Sequence, residues 1–218
     1  MLSGLTTSIP GIRVVSLVAL AVFVALAAAV GAGVAIPADR AIYLFLHVHD
    51  NTAIGSVADF VAGRAIEVAG AGLVAAVLLV LVVVGRVWVA ALLAASLVPL
   101  LARPTLRLTP GLSDAFDRRQ PPSIEPFKDW TFPSGHATGS MAIAAVAVLV
   151  AWPTRWRKPV LLAASSFVAA VGLAAVSGGQ HWPSDVVAGW ALTLAWVTAL
   201  YSLAPERFAG LRRRAPRR

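Results

Sequence analysis

Long apolar runs separated by short polar connections dominate the pattern along this chain. A bilayer core about 30 Å thick is crossed by roughly 20 helical residues, so apolar runs of that length with few or no charges indicate membrane-spanning helices. Small residues are dense in these runs, which permits close packing of helices within a membrane. The pattern predicts an all-α integral membrane protein with six transmembrane helices, at residues 14–36, 69–84, 87–102, 137–152, 159–176 and 186–203.

The first of these segments, residues 14–36, also resembles a signal peptide, because small alanine residues follow an apolar core. Its apolar run is long for a signal sequence, and the chain continues into further apolar runs rather than a soluble domain. We therefore interpret it as an uncleaved helix.

Composition supports the membrane assignment. The chain has 218 residues, of which 59% are hydrophobic and 13% charged, with a mean hydropathy of +0.81. A water-soluble domain of this length would need more polar surface, so a polytopic membrane protein is indicated. The sequence holds no cysteine, which excludes disulfides, thiolate zinc sites and a cysteine nucleophile.

The distribution of charge predicts the topology. With six spans, one side receives residues 1–13, Arg86, 153–158 and 204–218, which together carry 11 basic residues and one acidic residue. The other side carries seven basic and nine acidic residues. Basic residues mark the cytoplasmic side, so both termini are predicted there. The basic tail then faces anionic lipid headgroups, and we interpret the net charge of +8 as a topology signal rather than as nucleic-acid binding.

Two long polar connections are predicted on the outer face of a single membrane domain that spans residues 1–218. Residues 37–68 mix apolar and charged positions and are interpreted as an interfacial segment, with lipid entry as a hypothetical role. His47, His49 and Asp50 lie within it, and we interpret these histidines as solvated loop residues rather than metal ligands. Residues 103–136 are rich in proline and charge and are interpreted as the outer active-site loop.

Candidate chemistry lies where the outer connections meet the helices. The run Phe132-Pro133-Ser134-Gly135-His136 directly precedes the fourth predicted span. A helix that begins there aims its backbone N–H groups outward and favours anions such as phosphate. Ser134 can cap that helix or donate to a phosphate oxygen, and Gly135 permits close approach of a ligand. The alternative interpretation is a helix cap with an incidental histidine.

A second run precedes the sixth predicted span. Gly179-Gln180-His181-Trp182-Pro183-Ser184-Asp185 places a carboxylate four residues after a histidine, one helical turn along. Pro183 suits the first turn of a helix, and Asp185 could then accept a hydrogen bond from one ring nitrogen of His181. That bond would leave the other nitrogen available for nucleophilic attack. An interfacial histidine satisfied by a nearby acid is the alternative interpretation.

These residues resemble the type-2 phosphatidic acid phosphatases, a membrane superfamily that shares its site architecture with vanadium haloperoxidases. The resemblance covers roughly residues 85–203 as a phosphatase-like core. The family's second motif, Pro-Ser-Gly-His, matches in full at residues 133–136. The third motif is Ser-Arg, five residues, His, three residues, Asp, and its second half matches at His181 and Asp185.

The resemblance implies specific roles for these residues. His181 would be the nucleophile that forms a phosphohistidine, and Asp185 would orient it. His136 would protonate the leaving oxygen and later activate water, while Ser134 and Gly135 would bind phosphate oxygens. No metal and no cofactor are implied. A positioned general acid and fixed donors are what phosphoryl transfer requires.

The chain departs from the family pattern at two motifs. Where the third motif has serine and arginine, this chain has Ala174 and Ala175. The first motif, Lys, six residues, Arg-Pro, has its nearest counterpart at residues 118–122, with no basic residue seven positions before either arginine. The candidate phosphate-binding cations, in order of preference, are Arg118, Arg119, Arg107 and Arg103. For the first two, the alternative is a solvated charge pairing with Asp114 and Asp117.

Three functions fit these features. The first is a metal-independent lipid phosphatase in the cell membrane, specifically a bacterial inner membrane with the site facing outward, acting on a phospholipid, an isoprenoid phosphate or an isoprenoid pyrophosphate. The second is a phosphotransferase that uses the same histidine. The third is a non-catalytic phospholipid-binding protein, suggested by Ala175. A transporter is disfavoured because no charged residue lies mid-span. The motifs select neither the lipid nor an oligomeric state.

Overall fold

The computed structural model describes residues 11–34, 36–47, 56, 64–85, 87–107, 118, 121 and 132–203. This part of the chain contains helices and no β-strand, in agreement with the predicted all-α class. The helices are α1 (Ile12–Gly31), α2 (Pro37–Leu46), α3 (Arg64–Val83), α4 (Val87–Ser96), α5 (Val98–Arg107), α6 (Gly135–Ala151), α7 (Arg157–Ser177) and α8 (Pro183–Leu203).

Within the described residues, three helices are long and apolar enough to cross a membrane: α1, α7, and the Pro183–Ser202 part of α8. Shorter apolar helical stretches occur at Val74–Val83, Val87–Ser96 and Gly135–Ala151. These stretches overlap the second, third and fourth predicted spans, so each predicted span contains apolar helix, although α1 ends at Gly31, before the predicted end at residue 36. The six-span topology itself stays a prediction.

The third predicted span is not one continuous helix. It divides at Leu97 into α4 and α5, because Pro99 has no backbone N–H with which to continue the helical hydrogen bonds. In a continuous helix that N–H would bond to the carbonyl of Ala95, four residues earlier. The carbonyl of Ala95 instead accepts a hydrogen bond from the indole Nε1–H of Trp196 on α8, at 2.7 Å. A side chain from another helix thus satisfies the acceptor at the break.

Helix α8 lies at the centre of the fold, and its most extensive contacts are with α1 and α6. Polar side chains join these helices within otherwise apolar surfaces. Ser16 on α1 donates to the carbonyl of Ala195 at 3.0 Å, and Thr193 donates to the carbonyl of Thr138 on α6 at 3.3 Å. A cluster of buried side chains fills one end of this arrangement: Leu92, Leu93, Val146, Leu149, Val197 and Tyr201.

The predicted interfacial segment begins with helix α2, which packs against α7 and α8. Tyr43 is the buried aromatic of α2, and it belongs to a second cluster with Ala137, Ala175, Val176 and Val186. The opposite side of α2 exposes Leu44 and Phe45. The helix therefore covers one end of the bundle, at the point where α6 and α8 begin.

Candidate active site

The Pro-Ser-Gly-His run, residues 133–136, forms the amino-terminal end of α6. Ser134 is the N-cap residue, and its Oγ accepts from the backbone N–H of Ala137 at 3.3 Å, which confirms the predicted cap. Gly135 and His136 are the first two helical residues. Their backbone N–H groups belong to the first turn, which has no acceptors of its own within the helix. This end of α6 is suited to an anion.

The run that contains His181 and Asp185 leads into α8, which begins at Pro183, the residue predicted to lie in its first turn. Trp182 precedes it as the cap residue but offers no side-chain oxygen. Asp185, three residues further on, returns its Oδ2 to the backbone N–H of Trp182 at 3.0 Å. This is the return half of a capping box, and it uses one oxygen of the fully buried carboxylate.

The two motifs are directly bonded to each other. The backbone N–H of Ser134 donates to the carbonyl of Asp185 at 3.0 Å. Gly189, one turn further along α8, makes this approach possible. A Cβ at Gly189 would lie 2.7 Å from the carbonyl oxygen of Ser134 and 3.0 Å from Cβ of Ala137. The start of α6 therefore rests against bare backbone on α8.

This packing brings the two histidines face to edge. The ring centroids of His136 and His181 are 5.7 Å apart, with an interplanar angle of 70°. Both ring nitrogens of His136 and Nδ1 of His181 are buried. The backbone N–H of His181 donates to the carbonyl of Ala175 at 3.1 Å, which fixes the loop between α7 and α8.

The hydrogen bond predicted between His181 and Asp185 is not formed. Nδ1 of His181 lies 3.9 Å from Oδ2 of Asp185, which is too long for a hydrogen bond. In the described part of the chain, this nitrogen has no hydrogen-bond partner. The carboxylate is nevertheless its nearest charged neighbour, and a movement of about 1 Å would close the bond. Nδ1 is thus the ring nitrogen that faces Asp185, and Nε2 is the other.

Arg118 reaches this cluster from the connection between α5 and α6. Its Nη1 donates to Oδ1 of Asp185 at 2.8 Å and to Oγ of Ser184 at 2.6 Å. Its Nη2 forms an ion pair with Asp39, and its guanidinium lies over the Trp182 ring, 5.4 Å from the centroid. Arg118 is therefore bound within the site rather than solvated. Its predicted alternative partners, Asp114 and Asp117, lie outside the described residues.

Sequence reasoning missed Asp39, which the fold brings into the site from α2. This aspartate is 4% exposed, and its carboxylate accepts from the backbone N–H and the hydroxyl of Ser184 at 2.8 and 2.6 Å. The only local signal is an acid in the first turn of a helix, a common and weakly informative feature. A separation of 145 residues from Ser184 hides the contact from any local pattern.

Ala175 occupies the position at which an arginine was expected, and it is completely buried. Its side chain packs in the cluster that contains Tyr43 and Ala137, under helix α2. A longer side chain at this position would therefore have to displace members of that cluster. The guanidinium that the structure places at the site comes from Arg118.

The remaining predicted positions are placed as follows. Arg103 and Arg107 lie in α5, but their side chains are not part of the described structure, and Arg119 lies outside it. His47 is half-buried, stacks on Tyr43 with ring centroids 4.7 Å apart, and donates from Nδ1 to the carbonyl of Ser177 at 3.1 Å. Within the described residues, no group of three or more histidine, cysteine or acidic side chains could hold a metal ion.

Taken together, these elements form one buried polar cluster at the end of an apolar bundle. The amino-terminal turn of α6 supplies positive potential, and two adjacent imidazoles can exchange protons or attack an electrophile. The Arg118 guanidinium lies beside them, between the carboxylates of Asp39 and Asp185. Such a set suits binding of an anion and transfer of a group to nitrogen.

Comparisons with known proteins agree with the family resemblance seen in the sequence. The sequence model described as the PAP2 superfamily matches residues 86–209, which include both histidine motifs. A matching solved structure is described as the first transmembrane PAP2-type phosphatidylglycerolphosphate phosphatase from Bacillus subtilis. It is 18% identical, with a TM-score of 0.52 over 93% of this chain and 98% of that one. At this identity the likeness shows a shared fold. A search of curated proteins gave no match.

Proposed function

Because this chain belongs to the PAP2 superfamily, we propose that it is a metal-independent lipid phosphatase that acts through a phosphohistidine. The substrate is a phosphate monoester or pyrophosphate of a phospholipid or isoprenoid lipid. One observation carries the proposal: buried His181 and partly buried His136, from separate motifs, face each other with ring centroids 5.7 Å apart at the starts of α8 and α6. The description of the Bacillus subtilis structure supports a phospholipid as the first substrate to test.

In the first step, His181 attacks phosphorus. Nδ1 of His181 faces Asp185, so Nε2 is the nitrogen left to form the bond to phosphorus. Movement of the carboxylate onto Nδ1–H would fix the tautomer and stabilise the positive charge that develops on the ring. As the N–P bond forms, the P–O bond to the lipid breaks. His136 donates its proton to the leaving oxygen.

In the second step, water releases the phosphate. Neutral His136 accepts a proton from water, whose oxygen attacks phosphorus while the N–P bond to His181 breaks. Inorganic phosphate leaves, and both histidines return to their starting protonation states. The short distance between the two rings supports one residue serving as acid and then as base.

Phosphate binding is assigned to the amino-terminal turn of α6 and to Arg118. Gly135 and His136 contribute backbone N–H groups, and the Ser134 cap fixes their direction. Arg118 contributes positive charge beside Asp185. Fixed donors of this kind stabilise the charge on the equatorial oxygens during transfer.

The site is proposed to face the outer side of a cell membrane, and both termini to lie in the cytoplasm. The asymmetry of basic residues between the two sets of connections supports this orientation. The parallel entry of α6 and α8 from one end, with α2 across it, supports a single aqueous edge for the site.

The test is phosphate release by purified protein in detergent with excess chelator. Phosphatidic acid, phosphatidylglycerol phosphate and a polyprenyl pyrophosphate are offered separately to wild type and to His181→Ala. We expect release from at least one lipid in the wild type and none above background in the variant. Acid-labile labelling of the wild type by ³²P-lipid would identify the phosphohistidine directly.

A matched control is His47→Asn, which keeps a donor near the Nδ1 position and lies outside the proposed machinery. Its turnover should stay within about twofold of wild type, as expected for a change remote from the reacting atoms. Turnover that appears only when a lipid or sugar acceptor is added would identify a phosphotransferase. Lipid binding without turnover in a folded protein would contradict the proposed catalysis.

A further inference from the structure

Two carboxylates meet at the amino-terminal end of α8, and only one of them belongs to that helix. Asp185 bonds back to Trp182 from within α8. Asp39 comes from α2 and accepts the backbone N–H of Ser184, the second residue of α8, at 2.8 Å. Because the cap residue Trp182 has no side-chain oxygen, Asp39 supplies from another helix the acceptor that a normal cap would provide.

Capping alone does not require a full negative charge, since serine or asparagine caps a helix equally well. The charge of Asp39 is matched by Arg118, with which it forms an ion pair. The same guanidinium bonds to Asp185 through its other terminal nitrogen, at 2.8 Å. Arg118 thus bridges the two carboxylates, and it also donates to the hydroxyl of Ser184, which in turn donates to Asp39.

This network of hydrogen bonds and ion pairs joins helix α2, which carries Asp39, to the reacting residues. Asp185 is completely buried and lies 3.9 Å from the nucleophile His181, and Arg118 holds its other oxygen. If Asp39 were neutral, Arg118 would lose that ion pair while keeping its bond to Asp185. The guanidinium could then follow the carboxylate or withdraw from the site, and either movement would disturb the orientation of His181.

We propose that Asp39 is a positioning residue that holds Arg118 and, through it, Asp185 in the geometry needed for phosphoryl transfer. The inference rests on the proposed function, because it assigns Asp39 a part in that reaction. Asp39 acts through Arg118 and does not touch the substrate. It also gives helix α2 a definite role. The helix supplies the second of the two carboxylates that hold Arg118, in a chain whose third motif has no arginine.

The test is a double-mutant cycle of Asp39→Asn and Arg118→Gln in the full-length protein. Asp39→Asn keeps the size and the capping oxygen but removes the charge. We expect kcat to fall about 10–100-fold, the range seen when a group that orients a functional side chain is lost elsewhere. KM should change by less than about threefold, because the lost interaction acts mainly in the transition state.

In the Arg118→Gln background, Asp39→Asn should lower kcat no further, because the guanidinium that it positions is absent. There it should also raise the unfolding temperature, since it removes a buried carboxylate left without its partner. The matched control is Arg40→Gln, an exposed charge on the same helix, which should leave kcat and unfolding temperature near wild type.

Two outcomes would overturn the inference while leaving the proposed function intact. One is an equal loss of kcat from Asp39→Asn in both backgrounds. The other is an unchanged kcat per folded molecule, with only the unfolding temperature lowered, which would make Asp39 merely structural. A folded wild type that releases no phosphate from any lipid would instead refute the proposed function, and the role of Asp39 with it.

Discussion

The backbone N–H of Ser134 donates to the carbonyl of Asp185, and this 3.0 Å hydrogen bond joins the two histidine motifs. The bond fixes the start of α6 relative to the start of α8. It therefore sets the distance between His136 and His181 without involving either side chain. Helix packing at this crossing, rather than local sequence, determines whether the two rings can act on one phosphorus.

Gly189→Ala is expected to disturb that crossing. The new Cβ would lie 2.7 Å from the carbonyl of Ser134, a backbone atom that cannot move aside without separating α6 from α8. Overpacking of this kind costs about 1–3 kcal/mol in stability. Phosphate release should fall together with the unfolding temperature in detergent. Gly139→Ala is the control, because its Cβ would meet only the Leu100 side chain at an ordinary 3.5 Å. Equal behaviour of the two variants would contradict the role assigned to Gly189.

The helices and their starts were predictable because their signals are local. Ser134 before an apolar run and Pro183 in a first turn fix the starts of α6 and α8 from neighbouring residues alone. The break at Leu97 is also marked locally, by Pro99, although the surrounding apolar run concealed it. The motifs named side chains that the structure brings together, among them His136, His181 and Asp185, but neither Asp39 nor the bonds among them.

The network around Arg118 was not predictable for a physical reason. Arg118 is 79 residues from Asp39 and 67 from Asp185, and ion pairs over such separations leave no periodic signal. Asp114 and Asp117, which lie close to Arg118 in the sequence, offered simpler ion-pair partners. Only the packing of α2 against α7 and α8 decides which carboxylates the guanidinium meets.

His136→Ala should separate the roles of the two histidines. As the proposed general acid, His136 matters most when the leaving oxygen is a poor leaving group. Its loss should lower kcat on a lipid phosphate by about 100–10,000-fold, but on p-nitrophenyl phosphate by much less. His181→Ala should abolish turnover of both substrates. Steady-state kinetics with the two substrates would check this, and an equal loss on both from His136→Ala would contradict the acid role.

Trp196→Phe should destabilise the junction between α4 and α5. It leaves the Ala95 carbonyl, which accepts the Trp196 Nε1–H at 2.7 Å, without that donor. This junction is predicted to lie within the bilayer, where an unsatisfied acceptor costs on the order of 1–3 kcal/mol. The cost should be smaller in a Pro99→Ala background, because alanine restores a backbone N–H that can bond to the same carbonyl. Thermal unfolding of the four proteins in detergent measures the coupling, and strictly additive shifts would contradict it.

Ala175→Arg restores the residue that the family resemblance leads one to expect, yet we expect it to harm this protein. Ala175 is completely buried in the cluster that contains Tyr43 and Ala137, so the longer side chain has no room. Overpacking costs about 1–3 kcal/mol, and burial of the new charge adds to that cost. Tyr43→Ala opens space beside position 175, so the double variant should recover part of the folded yield that Ala175→Arg loses. Size-exclusion profiles and unfolding temperatures of the wild type, both single variants and the double variant provide the measurement. A stable and fully active Ala175→Arg protein would show that α2 yields easily, and that Arg118 is not the arginine on which this site depends.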